Sequence, residues 1–237
     1  QIRFAHRAIA RARERGCDFL LHLDDDELVC PRRSDRSLVD LFRAHAGSSA
    51  KCIHFENCEA VFPFELSTNR PFSRSGVKFR ISDQVLYING KSAAKLSTPG
   101  DVFCSGVHHF CRYDRTFAPS HPDFGMHDDD TGCKDPTCCV VESAAMVLHF
   151  DSPSFEEWMT KFRARASSSL SKSDEEEMSI FPFKQESVAI CRNARASRVE
   201  QEAVYRRYRC LPGRDTEKFD PTLDGDFVAQ RFHAKIV

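Results

Sequence analysis

At 237 residues, with 41% apolar and 29% charged side chains, the chain can form one full core or one domain plus an appendage, and its composition is that of a soluble globular protein. A formal charge of −1 excludes polyelectrolyte character, and with it any compositional case for nucleic-acid binding. No apolar run approaches the roughly 20 residues that cross a bilayer, and no signal peptide is visible.

The chain starts at Gln1 directly in a helical pattern and reads as a piece of a longer protein. Over 2–15, Ile2, Ala5, Ile9 and Ala12 share one face and Arg3, Arg7, Arg11 and Glu14 the other, with Gly16 as the stop. The arginine stripe is open to two readings, a phosphate-binding surface or simply the wet side of a helix. Phe19-Leu20-Leu21-His22-Leu23 is a nearly continuous apolar run, which predicts a strand covered on both faces. It stops abruptly in Asp24-Asp25-Asp26-Glu27.

Ser37 with Asp40 resembles a capping box and opens a short helix through Leu38, Leu41 and Phe42 that ends near Gly47. Residues 51–55 read as a strand. The stretch 59–84, with prolines and unperiodic phenylalanines, reads as a loop-rich insertion. Residues 85–88, Asn89-Gly90 and 93–96 predict a hairpin. A short strand at 107–110, a long polar loop over 112–139 and a buried strand at 145–150 follow.

Ser154 and Glu157 form a capping box before Phe155, Trp158, Met159 and Phe162, at helical spacing. From about 166 the character changes to a serine and acid run, read as a linker. A helix around 199–208 is the one element expected beyond it, and no motif is visible there.

Eleven cysteines, at 17, 30, 52, 58, 104, 111, 133, 138, 139, 191 and 210, admit disulfides of a secretory compartment or buried thiols. Cys133, Cys138 and Cys139 make only a weak zinc pattern. None of the asparagines at 57, 69, 89 or 193 starts a glycosylation sequon.

The acid run carries the chemistry. In an extended segment residues 24 and 26 point to one side, and two carboxylates so placed repel unless a cation lies between them. Magnesium or manganese suits such oxygen donors, and ligands of open α/β sheets bind beyond the carboxyl ends of strands. The alternative is a solvated acidic turn.

Asp18-Phe-Leu-Leu-His-Leu-Asp24-Asp25-Asp26-Glu27-Leu28 resembles the DxD-containing strand of glycosyltransferases with the GT-A fold, nearest to families 2 and 92. Asn89-Gly90-Lys91-Ser92, then Gly106-Val107-His108-His109-Phe110, then Leu148-His149-Phe150 with Ser154-Phe-Glu-Glu-Trp158 and Lys161, resemble that group's later segments in order. The resemblance covers 1–165 as a partial catalytic region and leaves 166–237 as a linker and polar extension of unknown role. It implies an α/β fold with a mixed, mainly parallel sheet flanked by helices, lacking the N-terminal βαβ part that binds the nucleotide.

What it implies for the residues is specific. Asp24 and Asp26 would hold Mn2+ or Mg2+ against the donor diphosphate, and His149 would complete the metal's coordination. Lys91 would neutralise phosphate or position the acceptor, and His109 lies on the acceptor side, with His108 adjacent. Asp26, Glu27 and His109 are the expected catalytic group, Glu27 ranking below the two aspartates. Asp123, Asp128, Asp129, Asp130 and Glu142 all remain open as the general base.

The expected reaction is inverting transfer of one sugar from a nucleotide-sugar to a hydroxyl of a glycan, protein or lipid, since the QxxRW signature of processive enzymes is absent. Residence in the Golgi or another secretory compartment, through an N-terminal membrane anchor outside this chain, goes with that reading. The rivals are a degenerate non-catalytic module and a metal-dependent hydrolase using His121, His127 and His149.

Overall fold

The computed structural model describes residues 2–33, 35–62, 77–81, 90–97, 102–104, 110–112, 139–168, 181–210 and 219–224. In chain order the elements are α1 (Ile2–Glu14), β1 (Phe19–Leu21), β2 (Glu27–Pro31), α2 (Leu38–Ala46), β3 (Cys52–Val61), β4 (Lys78–Ile81), β5 (Lys91–Lys95), β6 (Val102–Cys104), β7 (Phe110–Arg112), β8 (Cys139–His149), α3 (Phe155–Ser167), α4 (Pro182–Arg192), α5 (Arg198–Arg209) and β9 (Phe219–Asp224). The chain is α/β, as expected. It divides into two compact units, Gln1–Asn57 with Asn89–Val147, and Cys58–Ile88 with Leu148–Val237.

In the first unit β5 lies between β1 and β3 and runs against both, pairing Leu21 with Ala93 and Ile53 with Ala93 from its two edges. Successive residues of β3 and β5 face opposite layers. Cys52 and Ala94 meet Ala5 and Ile9 of α1, while Ile53, Phe55 and Ala93 meet Leu41 of α2. The continuous apolar run at 19–23 is explained by this double cover. Gly16 ends α1 with φ +68°, a conformation that a side chain rarely adopts. β6 and β7 form a separate antiparallel pair.

In the second unit β4 pairs antiparallel with the end of β3, Cys58 opposite Ile81, and with β9, where the register shifts between Lys78 and Arg80. Helices α3, α4 and α5 bury Phe155, Trp158, Phe162, Phe183, Val188, Tyr205 and Tyr208 in one apolar cluster. The helix ending the expected catalytic region at 165 therefore shares its core with residues beyond that boundary.

Several expectations need correcting. The pairings along β1–β5–β3 and β3–β4–β9 are antiparallel, in place of a mainly parallel sheet. Burial on both faces foretells helical layers, and it is indifferent to strand direction. The expected insertion at 59–84 holds the end of β3 and all of β4. The capping box is complete at Ser37 and Asp40 and again at Ser197 and Glu200, but only half made at Ser154. There the Glu157 carboxylate turns to the Ser154 hydroxyl, 3.2 Å away.

Among the described residues no two cysteines are joined in a disulfide, and no helix is long and apolar enough to cross a membrane. The hairpin residues 85–89, most of the strand at 107–110, the loop at 113–138 and the linker beyond 168 lie outside the described residues.

Candidate functional site

Residues 24–27 form a turn between β1 and β2, not an extended strand end. The Glu27 N–H donates to the Asp24 carbonyl at 3.2 Å, and the Asp24 N–H donates to Glu27 Oε2 at 2.9 Å. This reciprocal closure replaces the alternation expected for 24, 25 and 26. Asp25 is exposed, Asp24 and Asp26 are part-exposed, and Glu27 is buried. Glu27 is thus the brace of the turn.

Lys91 begins β5, opposite Phe55. Gly90 before it lies so close to β3 that a Cβ would stand 1.7 Å from the Phe55 carbonyl oxygen, which makes glycine obligatory there. The Lys91 side chain, 0% exposed, reaches Asp24 Oδ2 at 2.7 Å and Glu27 Oε2 at 3.4 Å. Lys91, expected to meet phosphate or acceptor, is inside the protein holding the acids in place. It supplies one positive charge against the turn's four carboxyls. Glu142 accepts from the Ala144 N–H and pairs with His45 Nε2, both at 2.7 Å, so this candidate base is already engaged.

The second unit contains His149 and an ionic cluster that sequence reasoning missed. His149 Nδ1 lies 2.7 Å from Glu59 Oε1. Glu59 Oε2 accepts from Arg209 Nη1 at 2.9 Å, and Arg209 Nη2 donates to Asp151. Asp151 also accepts from Lys161 at 2.5 Å and from the Ser152 hydroxyl at 2.6 Å.

Burial alone would raise the Glu59 carboxyl, but the charge and hydrogen bond of His149, with Arg209 behind them, hold it below its ordinary value. Burial acts the same way on Asp151, where Arg209 and Lys161 prevail and keep the group well below the usual carboxylate range. For Arg209 burial works to lower the value, and the two carboxylates raise it.

Among the described residues no three His, Cys, Asp or Glu side chains gather as a metal site. His108, His109, His121, His127, Asp123 and Asp128, Asp129 and Asp130 lie outside the described residues. The sequence matches no family model, and it matches no curated protein.

Proposed function

We propose that the chain is part of a metal-dependent glycosyltransferase that moves one sugar from a nucleotide-sugar donor to an acceptor hydroxyl, with inversion, and that the turn at 24–27 is its donor end. The observation that carries this reading is the pinned, part-exposed Asp24 carboxylate, with Asp26 two residues on, at the end of an apolar strand. The order of the four resembling segments supports it further.

The donor set fits the implied ion. Mn2+ or Mg2+ takes oxygen ligands and commonly binds through one or two carboxylates, with water and substrate phosphate completing the shell. Asp24 and Asp26 would hold it, and when bound it would offset charge on the departing diphosphate.

The chain's own residues do the rest. Lys91 aims Asp24 by a charge-assisted hydrogen bond of 2.7 Å. Glu27, through the Asp24 N–H, fixes the turn so that neither aspartate has to be ordered when ligand arrives. The acceptor is a hydroxyl of a glycan, protein or lipid.

A second reading has its own observation. The Lys91 ammonium already neutralises part of the acid cluster, which is also what a non-catalytic module that has lost its ion would need. Thermal unfolding of the full-length protein separates the two. Uridine or guanosine diphosphate-sugars should raise the melting temperature only with Mn2+ present, and Asp24→Ala and Asp26→Ala should abolish the rise. No rise with any nucleotide or metal would leave the degenerate module.

A further inference from the structure

The arginine stripe of α1 has no part in the acid turn. Ala5 and Ile9 fix the inward side of this helix, where they pack with Cys52, Ala94, Leu96 and Phe110. At about 100° per residue, Arg3, Arg7 and Arg11 centre on the side opposite those two, and all three are exposed. They stand about 6 Å apart along the axis, so the row spans about 12 Å. Phe4 flanks the row and is 75% exposed. Glu14, at the far end, is the one acid on the helix.

The solvated face of α5, also rich in arginine, is built differently. Arg198 and Arg206 face Glu202 at 2.8 and 4.0 Å, and Arg207 meets Glu186 at 2.6 Å. No carboxylate among the described residues pairs with Arg3, Arg7 or Arg11. Like charges four residues apart repel along a helix. The first turn of α1 contains no acid, so nothing there offsets Arg3 at the positive end of the helix dipole. Charge is segregated along the chain as well. Residues 2–15 hold five arginines and one glutamate, a net +4, in a chain whose total is −1.

Such a face is complementary to an extended sheet of negative charge. A pocket for one anion gathers its cations around a point, whereas these lie in a straight row on an outward surface. The Phe4 ring gives the row an apolar margin, which a purely ionic partner has no use for. At a bilayer, an aromatic ring so placed reaches past the phosphates to the acyl boundary. We propose that α1 docks in the plane of an anionic lipid bilayer, with Arg3, Arg7 and Arg11 on headgroup phosphates and Phe4 inserted beside them. Docking of this kind is independent of whether the acid turn takes a metal.

The test is co-flotation of the full-length protein with vesicles, comparing phosphatidylcholine alone with the same lipid carrying about one-third phosphatidylserine. Parent and variants share whatever the rest of the chain contributes, so the difference between them isolates α1. Each arginine near such a surface is worth about fivefold in affinity. Arg7→Gln should therefore weaken binding to the serine lipid by about fivefold, and the triple variant Arg3→Gln, Arg7→Gln, Arg11→Gln by about a hundredfold. Phe4→Ala should weaken it by about tenfold. Raising salt from about 0.1 to about 1 M should erase the preference for the serine lipid, as the Debye length shrinks from about 10 to about 3 Å. All four side chains are exposed, so melting temperatures should stay at the parent's value.

Equal flotation of the parent with both vesicles, or a triple variant that floats like the parent, would overturn the proposal. Retention of the parent on heparin without flotation would assign the face to a soluble polyanion and overturn it likewise. Should the triple variant fail to fold, Arg7→Gln and Phe4→Ala carry the test, and parental flotation of both would be decisive against it.

Discussion

Replacing Lys91 with methionine probes the acid turn most directly. The ammonium is 0% exposed, Glu27 3% and Asp24 31%, so the loss falls mainly on a carboxylate with almost no access to water. Removing one partner of a buried ion pair costs about 3–5 kcal/mol. Glu27 retains the Asp24 N–H at 2.9 Å and Asp24 retains solvent, which places the expected cost at the low end, about 3 kcal/mol. With a urea slope of about 2 kcal/mol per molar, the unfolding midpoint should fall by about 1.5 M. Adding Glu27→Gln to the methionine variant removes the charge left facing the methionine and should return about 1–2 kcal/mol relative to that variant, and a double-mutant cycle should show that the two substitutions do not add. Mn2+ at a hundred times its Kd should restore about 2.7 kcal/mol to the single variant if the acids take a divalent ion. A Lys91→Met protein as stable as the parent, or two substitutions that simply add, would refute the picture of an internal counter-charge.

Other outcomes follow from single observations. Gly90→Ala should cost at least about 3 kcal/mol in thermal unfolding, since its Cβ would meet backbone 1.7 Å away and no rotamer can relieve it. Trp158→Ala should cost about 3–5 kcal/mol, because the indole lies 5.5–5.9 Å from the rings of Phe155, Phe162 and Tyr205 in the core of the second unit. Burial pushes the Cys210 thiol up to about 12, so a thiol reagent at neutral pH should label exposed Cys17 well before Cys210, as peptide mapping would show. That raised value also gives an alkaline signature. Its stabilising share is complete below the ordinary thiol range near about 8.5 and is lost as pH climbs toward the folded value. The urea midpoint should therefore decline between about pH 9 and 11, and Cys210→Ala should flatten the decline.

Elements whose burial is apolar and periodic were legible from sequence. Helices α1, α2 and α3 stand where the apolar spacing puts them, because each presents its apolar residues to one layer, and β1 and β5 were legible as short apolar runs that pack on both faces. Helix α4 was not legible. Its buried positions are Phe183, Lys184, Ser187 and Val188, a helical face that is half polar and so invisible to a search for apolar periodicity. Pro182 at its first turn was the available signal. Strands β4 and β9 were missed because strands so short offer only a few residues for alternation to register.

The candidate site divides along the same physical line. Four successive acids after an apolar run are conspicuous because no covered strand tolerates them without a reason, and Lys91 stood out beside its glycine. Glu59 was visible in principle as the acid among the apolar residues of Cys58-Glu59-Ala60-Val61, at the buried end of its strand. A carboxylate in such a place must have a cation, yet any of 34 lysines and arginines could have been the one. The partner is Arg209, 150 residues away in a helix end crowded with arginines, and only the fold brings it in. Local pattern announces that a charge needs compensating, whereas the identity of the compensating residue is a property of topology. That is why a motif search stops near residue 165 while the hydrogen bonds reaching His149 do not.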